Sequence, residues 1–445
     1  MSDRPKIIVL DDDPTGSQTV HSCLLLMRWD VETLRLGLAD ETPIFFILSN
    51  TRALTPERAA EVTREVTRNL KIAIEAEGIK DFLVVSRSDS TLRGHYPVET
   101  DVIAEELGPF DAHFLTPAFF EGGRITRNNT HYLLIDGVET PVHETEFARD
   151  SVFGYSYSYL PDYVEEKTKG RIESKTVECF DLAEIRKGTS DRLMALKDNV
   201  CCAVDGEKQA DLDRFAEDIL ATAAVGKRFL FRSAASLLTS LAQLGPQPVQ
   251  AENMAEYERS PKPGVILVGS HVQKTTRQLE RLLEESGITG IEVDVTRLRD
   301  NPATKMELRS EILEKVNVAY NSGQIPTIYT SREELQFDDI QQRLDFGKTV
   351  SGLLMDIVKG LPSEISFLIS KGGITSNDVL SAGLELRSAR LLGQILPGCS
   401  MVITPDNHSQ FPKLPVVLFP GNVGDDRGLA TVYQRLKNEE LRIKN

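Results

Sequence analysis

The sequence predicts an α/β protein of two domains, each built on a predominantly parallel sheet. Two observations carry this reading. Short β-branched runs recur along the chain, each followed by a polar turn of Gly, Ser, Asp or Thr and then by a segment of helical period, the pattern of parallel strands joined by crossover helices. The alternation pauses over the polar, aperiodic stretch 251–263 (AENMAEYERSPKP) and then restarts, which divides the 445 residues into domains of 1–250 and 264–445 with a linker or hinge between them.

In the first half, strands are expected at 6–10, Ile44–Leu48, Phe82–Ser86 and His113–Thr116. Between the second and third, Thr55-Pro56-Glu57 is a helix start with Pro in its first turn, and Val62, Val66, Leu70 and Ala73 follow at helical spacing. The stretch Gly154–Gly170, with Tyr155, Tyr157, Tyr159 and Tyr163, breaks the alternation and reads as an exposed loop, an interface arm or a lid. Ordinary packing of its rings is the plainer account, and a homodimer contact would be sought there. Segment 181–222 reads as helices and short strands. In the second half the expected strands are Val265–Val268, Ile291–Val295, Pro326–Thr330, Phe367–Ser370, Met401–Thr404 and Val416–Phe419, with helices at Thr275–Ser286 and around 303–320 and 338–359.

Composition removes several classes of function. Lys and Arg number 51 against 67 Asp and Glu, a formal charge of −16, and no basic block of five interrupts the chain; neither nucleic acid nor an anionic membrane is expected as a partner. Apolar runs such as Ile44–Leu48 fall far short of the roughly 20 residues that span a bilayer, and the start of the chain lacks a secretory pattern, so a cytoplasmic location is expected. Five cysteines without a CxxC spacing indicate buried free thiols.

Chemistry-bearing residues gather where predicted strands end, the place where open α/β sheets bind ligands. Asp11-Asp12-Asp13 follows the first strand; three adjacent carboxylates repel one another, which suggests a metal site, a general base or both, the alternative being an acid-rich capping turn. Because alternate residues at a strand end face opposite ways, all three are not expected to serve one site. After the third strand, Arg87 and Arg93 bracket Ser88, Asp89, Ser90 and Thr91, a set able to fork onto a carboxylate or phosphate while hydroxyls read sugar OH groups. In the second half, Gly372-Gly373 with Ile374 and Thr375, and the turn Gly421-Asn422-Val423-Gly424, offer backbone amides to an anion without net positive charge. Familiar nucleotide motifs fail: Gly347-Lys348-Thr349 has Gln342 in place of the first Walker glycine and sits in a helical segment, and no GxGxxG follows a strand.

Together, Asp12-Asp-Pro-Thr-Gly16, Asp89-Ser-Thr-Leu-Arg-Gly94, Pro117-Ala through Gly123-Arg124, Gly269-Ser270, the Lys371–Thr375 turn, Gly393–Gly398 and Gly421–Gly424 resemble the four-carbon acid sugar kinase family, in order and over nearly the whole chain. The resemblance implies ATP-dependent phosphorylation of threonate, erythronate or 3-oxo-tetronates, with an acid-sugar-binding domain and an ATP-binding domain facing each other across an inter-domain cleft. Carried over by position, Asp12, Asp13, Arg87, Ser88, Asp89, Ser90, Thr91, Arg93, Gly123 and Arg124 would fall on the substrate side. Ser270, Gly372, Gly373, Ile374, Thr375, Gly421, Asn422 and Gly424 would serve ATP. This chain departs from many relatives in carrying Arg87 rather than Lys, Ile374 rather than an acid, and Phe419-Pro420 before Gly421-Asn422. A sugar hydroxyl is a poor nucleophile, so Asp12 or Asp13 is expected to take its proton as the γ-phosphoryl moves, with the other orienting the substrate or touching Mg²⁺, and Arg93, helped by Arg87, is expected to clamp the carboxylate. Two other readings predict different behaviour: a metal-dependent sugar-acid aldolase or dehydratase turns over without nucleotide, and a metabolite-binding regulator keeps its function when Asp12 and Asp13 become Asn.

Overall fold

The computed structural model describes residues 4–13, 16–135, 137–332, 335, 337, 340–421 and 423–437. The chain separates between Gly245 and Pro246 into two compact units. Among the described residues, no helix is long and apolar enough to cross a membrane.

The first unit contains strands β1 (Lys6–Asp11), β2 (Leu24–Leu26), β3 (Ile44–Leu48), β4 (Phe82–Arg87), β5 (Ala112–Thr116), β6 (Arg124–Arg127), β7 (Thr130–Ile135), β8 (Val138–Pro141), β9 (Glu178–Phe180), β10 (Val200–Val204) and β11 (Phe229–Ser233). Eight of them form a parallel sheet in the order β2-β3-β1-β4-β11-β5-β10-β9, and β6-β7-β8 form a small antiparallel sheet. Period-2 alternation sends Ile8, Leu10, Phe45, Ile47 and Val84 to one face of the parallel sheet. Helix Pro56–Glu77, capped by the Thr55 hydroxyl, lays Val62, Val66, Leu70 and Ala73 against that face, together with Leu34, Leu38, Ile103 and Leu107 from neighbouring helices. Each large apolar side chain so buried contributes about 1.5–3 kcal/mol. On Phe114 converge the rings of Phe180, Phe215, Phe229 and Phe231, with centroids 5.3–5.9 Å away.

After β1 the chain builds β2 and β3 on one side of it and then β4 on the other, so the carboxyl end of β1 is a topological switch point, and Asp11 stands on it. The Gly154–Gly170 stretch is more ordered than a loop. It contains helix Leu160–Lys167, and Tyr155 and Tyr163 are buried while Tyr157 and Tyr159 are exposed.

The second unit contains β12 (Val265–Val268), β13 (Ile288–Val293), β14 (Ile325–Thr330), β15 (Leu368–Lys371), β16 (Ser388–Leu396), β17 (Cys399–Ile403) and β18 (Pro415–Phe419), in the order β13-β14-β12-β15-β18-β17-β16. The first five are mutually parallel, and β17 runs antiparallel to both its neighbours. The strand expected at Ile291–Val295 starts three residues earlier because Ile288 pairs with Ile325 at the head of β14. The polar stretch 251–263 opens with a 3₁₀ helix, Ala251–Tyr257, whose Met254 is fully buried in the core of this unit beside Ile395, Leu429 and Leu436. Ala255 is buried beside it and Tyr257 packs against the same core, so these three residues anchor the polar run. In this unit β12 lies between β14 and β15, so its carboxyl end, at Gly269 and Ser270, is the second switch point.

Candidate active site

In the first unit the three aspartates are sorted by burial and partner. Asp11 is fully buried, and Arg87, which pairs across from it in β4, places Nη1 3.3 Å from its Oδ1. Burial pushes the Asp11 carboxyl up to about 7 against the pull of Arg87, and the neighbouring Asp12 and Asp13 add to the rise. Asp12 is also buried, and Arg52 grips it with both arms of its guanidinium, Nη2 to Oδ1 at 2.5 Å and Nε to Oδ2 at 3.1 Å. The third aspartate, Asp13, accepts from Arg52 Nη1 at 2.9 Å and keeps 26% of its side chain exposed. Arg52 therefore binds two carboxylates and lies 4.0 Å from a third, Asp89. It is delivered by the turn Thr51–Ala53 after β3, where Ser49 and Arg52 donate backbone N–H groups to Asp11 O and Asp12 O.

The loop after β4 is tied down by side chains that reach three successive carbonyls. His131 Nε2 binds Ser90 O at 2.8 Å, Tyr155 OH donates to Thr91 O at 2.7 Å and Tyr163 OH donates to Leu92 O at 2.8 Å. The other His131 nitrogen meets Thr126 Oγ1 at 2.9 Å, so a neutral ring that donates from Nε2 and accepts at Nδ1 satisfies both contacts. These bonds are why two of the four tyrosines and a β7 histidine are buried. On the loop itself, Asp89 accepts from Arg93 Nε at 2.9 Å and from the Thr91 hydroxyl. Burial would raise Asp89, but Arg52 and Arg93 outweigh it and hold the carboxyl well below the usual range.

His131 carries an expected pH dependence. Burial pushes its ring down to about 4, below the ordinary 6.5, so the unfolded chain binds the proton first as pH falls and the folded state loses stability between about 6.5 and 4. Urea unfolding at pH 7 and pH 4.5 is expected to show a loss in the native protein that exceeds the loss in His131→Gln by on the order of 2–3 kcal/mol. Parallel losses in the two proteins would show that His131 titrates normally.

Beneath the loop runs a chain of buried polar groups. Arg232, in β11, binds Glu99 Oε2 at 2.6 Å and Ser86 Oγ at 2.8 Å through Nη1, and donates from Nη2 to Ser88 Oγ at 2.6 Å. Since Arg232 can only donate, the Ser88 hydroxyl is itself a donor, with the Asp12 carboxylate 2.8 Å and the Arg93 carbonyl 3.0 Å from Ser88 Oγ. The result is Glu99–Arg232–Ser88–Asp12–Arg52, an alternation of charge that fixes Asp12. Ser88, Asp89, Arg93, Tyr163, Arg232 and Ser233 face a small open concavity whose remaining wall is apolar.

In the second unit the fully buried Lys371 ends β15 and donates from Nζ to Pro420 O at 2.6 Å and Gly421 O at 3.2 Å, with the ammonium 4.1 Å above the Phe419 ring. Burial brings its ammonium down to about 7. Gly372 N donates to Phe419 O at 2.8 Å, and the Thr375 hydroxyl lies 3.0 Å from Gly421 O and 3.3 Å from Ser270 Oγ. Ser270, the Gly372 turn and the Gly421 turn are thus drawn together at the switch point of this unit. Gly424 bends past Gln278, whose amide donates to Val423 O and Asp425 O. Gly373 and Ile374 open a helix, where amides lack intrahelical acceptors, and Ile374 is 75% exposed.

Of the residues singled out by sequence, Asp12, Asp13, Arg87, Ser88, Asp89, Thr91 and Arg93 share one hydrogen-bonded cluster. Ser90, on the same loop, gives its carbonyl to His131; Gly123 ends the turn after β5, and Arg124 is the first residue of β6. Ser270, Gly372, Gly373, Ile374, Thr375, Gly421 and Gly424 lie together in the second unit, and Asn422 lies outside the described residues. Arg52, Glu99 and Arg232 escape the sequence reading. Arg52 ends a polar strand-end run without glycine (Ser49-Asn-Thr-Arg52), and Arg232 is a charge inside an apolar strand (Phe229-Leu-Phe-Arg232), a placement that by itself demands a partner.

Residues 7–241 match the model of a sugar-binding N-terminal domain and residues 265–429 that of a nucleotide-binding C-terminal domain, leaving the 242–264 segment between them. D-erythronate kinase of Heliobacterium modesticaldum is 25% identical over 312 residues; the match spans 66% of this chain and 64% of that protein's length. Two crystal structures share the fold. One is a Salmonella typhimurium LT2 protein provisionally labelled a tRNA synthase (TM-score 0.70, 19% identity, 98% of this chain and 99% of that one). The other is Haemophilus influenzae protein HI1011, of the family designated DUF1537 (TM-score 0.66, 17% identity, 96% and 100%). The matched domains define a class, two-unit α/β proteins that pair a sugar-binding with a nucleotide-binding domain. Within that class, the chain belongs to the four-carbon acid sugar kinase family.

Proposed function

We propose that the protein is an ATP-dependent kinase that phosphorylates a hydroxyl of a small sugar acid, a four-carbon aldonate or 3-oxo-aldonate such as threonate, erythronate or 3-oxo-tetronate. The observation that carries this reading is the cluster of Asp12, Asp13 and Asp89 around Arg52 at the switch point of the sugar-binding unit. Asp12 has both carboxylate oxygens engaged by Arg52 and Ser88 and is closed to solvent; Asp13 is the more open and takes the role of base. The substrate hydroxyl oxygen bonds to the γ-phosphorus, the bond from that phosphorus to the β-phosphate oxygen breaks, ADP leaves, and the hydroxyl proton passes to Asp13.

On the nucleotide side, the Ser270, Gly372 and Gly421 segments fit a phosphate chain: the amides at Gly373 and Ile374 open a helix, and a side chain at Gly373 would meet only open space. Among the described residues, no group of three or more His, Cys, Asp or Glu could hold a metal. The donor set fits a Mg²⁺ carried by the nucleotide, with phosphate oxygens and water as most of its ligands, to which Asp13 or Asp89 would lend a carboxylate oxygen. Bound there, Mg²⁺ would neutralise charge on the transferring phosphoryl group.

A panel of four- to six-carbon aldonates and oxo-aldonates, assayed for ADP release, tests the proposal. At least one four-carbon acid is expected to release ADP in equimolar amount with its phosphorylated product. Failure of every acid to raise ADP release above the acid-free rate would overturn the kinase reading.

A further inference from the structure

The arginines of the sugar-binding unit differ in whether their charge is already answered. Arg52 holds Asp12 and Asp13, Arg87 holds Asp11, and Arg232 holds Glu99. Arg93 is occupied as well: Nε donates to Asp89 at 2.9 Å, Nη1 lies 3.7 Å from Asp150, and the guanidinium sits 4.9 Å above the Phe147 ring. Arg124 is different. Among the described residues it has no carboxylate within ion-pair distance; Nη1 donates to the carbonyl of Gly122, and Nε is buried with no hydrogen-bond partner. Yet it belongs to the same charged neighbourhood, since burial, the attraction of Asp89 and the repulsion of Arg93 all act on its guanidinium.

Its backbone is rigidly placed. Arg124 N and O exchange hydrogen bonds with Phe119 O and N at 2.9 and 3.0 Å, and Phe120 N is held by Ser236 Oγ. A half-buried cation with no anion among the described residues, and with a donor turned away from water, costs free energy in the ligand-free protein; an arriving carboxylate removes that cost and adds charge-assisted hydrogen bonds.

We infer that Arg124 is the residue that recognises the substrate carboxylate, and that Arg93 braces the Asp89 loop. The inference deepens the sugar-acid reading and rests on it. It assigns specificity for an acid over the neutral polyol or lactone of the same carbon skeleton to one side chain outside the aspartate cluster.

Titration calorimetry without nucleotide, using D-threonate and D-erythronate and their neutral polyols threitol and erythritol, separates the roles. In Arg124→Gln, affinity for the acid that binds the native protein is expected to fall about 100-fold while polyol affinity changes less than about threefold, and Arg124→Lys is expected to recover part of the loss. Arg93→Gln is expected to leave the acid-to-polyol ratio within about threefold of native. An unchanged acid affinity in Arg124→Gln, or a collapse of the ratio in Arg93→Gln, would overturn the assignment. The kinase reading is judged separately by ADP release: acids that bind through Arg124 without ADP formation leave the clamp standing and remove the kinase, whereas phosphorylated acids with Arg124→Gln affinity intact do the reverse.

Discussion

Asp13→Asn is expected to lower kcat by about 10³-fold, within the 10²–10⁴ span that a positioned general base contributes. The amide keeps the size of the carboxylate and an oxygen for Arg52 Nη1, now 2.9 Å away, but it cannot accept a proton. The fold is expected to tolerate the change, because the Asp13 side chain is 26% exposed and such a partly solvated ion pair is worth about 1 kcal/mol or less. Asp12→Asn should behave differently. Asp12 is buried, and losing its charge leaves the two-armed contact from Arg52 and the donation from Ser88 without their anion, a change of about 3 kcal/mol or more. Urea unfolding alongside a coupled ADP assay distinguishes the two aspartates. Native-like kcat in Asp13→Asn would send the search for the base elsewhere in the cluster, and normal stability in Asp12→Asn would contradict its place as the buried anchor.

Gly94→Ala is expected to be the most damaging single-methyl addition in the first unit. Gly94 closes the loop that begins at Arg87, and its φ of +118° is a backbone conformation closed to residues with a side chain. A Cβ there would also overlap Ser88 Oγ and stand 2.6 Å from Arg232 Nη2 and 3.2 Å from Asp12 Oδ2. Strain and overlap act together, since the methyl would wedge apart the Arg232–Ser88–Asp12 contacts. A loss of about 3 kcal/mol or more is expected, with turnover falling by about 100-fold or more from displacement of Asp12. Gly78→Ala is the control. Gly78 ends helix Pro56–Glu77 at φ +66° with no atom within 4 Å of an added Cβ, and only the backbone cost of about 1 kcal/mol is expected. Equal melting shifts in the two variants would show that the relay is not packed against Gly94.

Much of this arrangement is legible along the chain because it is local. A β-branched run followed by a polar turn marks both a strand and the end of that strand where side chains meet ligand, so Asp12, Arg87 and Asp89 declare themselves together with β1 and β4. The same reading finds Thr55 as a helix cap and the glycine turn after β15. It passes over β2, β9 and the β6–β8 sheet, whose strands of 3–6 residues carry weak alternation, over β11, a short apolar run broken by Arg232, and over β16, where Gly393 and Gln394 interrupt the apolar run.

What the chain order cannot display is who stands beside whom. Lateral strand order sets β11 against β4, and that alone brings Arg232 within reach of Ser88, 144 residues away in sequence. In the same way, the return of β3 to the flank of β1 carries Arg52 onto Asp12 and Asp13, and Tyr155, Tyr163 and His131 become struts only once they fold over the 90–92 carbonyls. The amino-acid sequence by itself determined the strand, turn and helix pattern and the chemistry waiting at each strand end, because these depend on neighbours within a few residues. The partner of each charge was decided by the tertiary structure: a buried ion pair leaves no periodicity in the chain, and only the pairing of distant strands chooses which carboxylate answers which guanidinium and, among the described residues, leaves Arg124 unanswered.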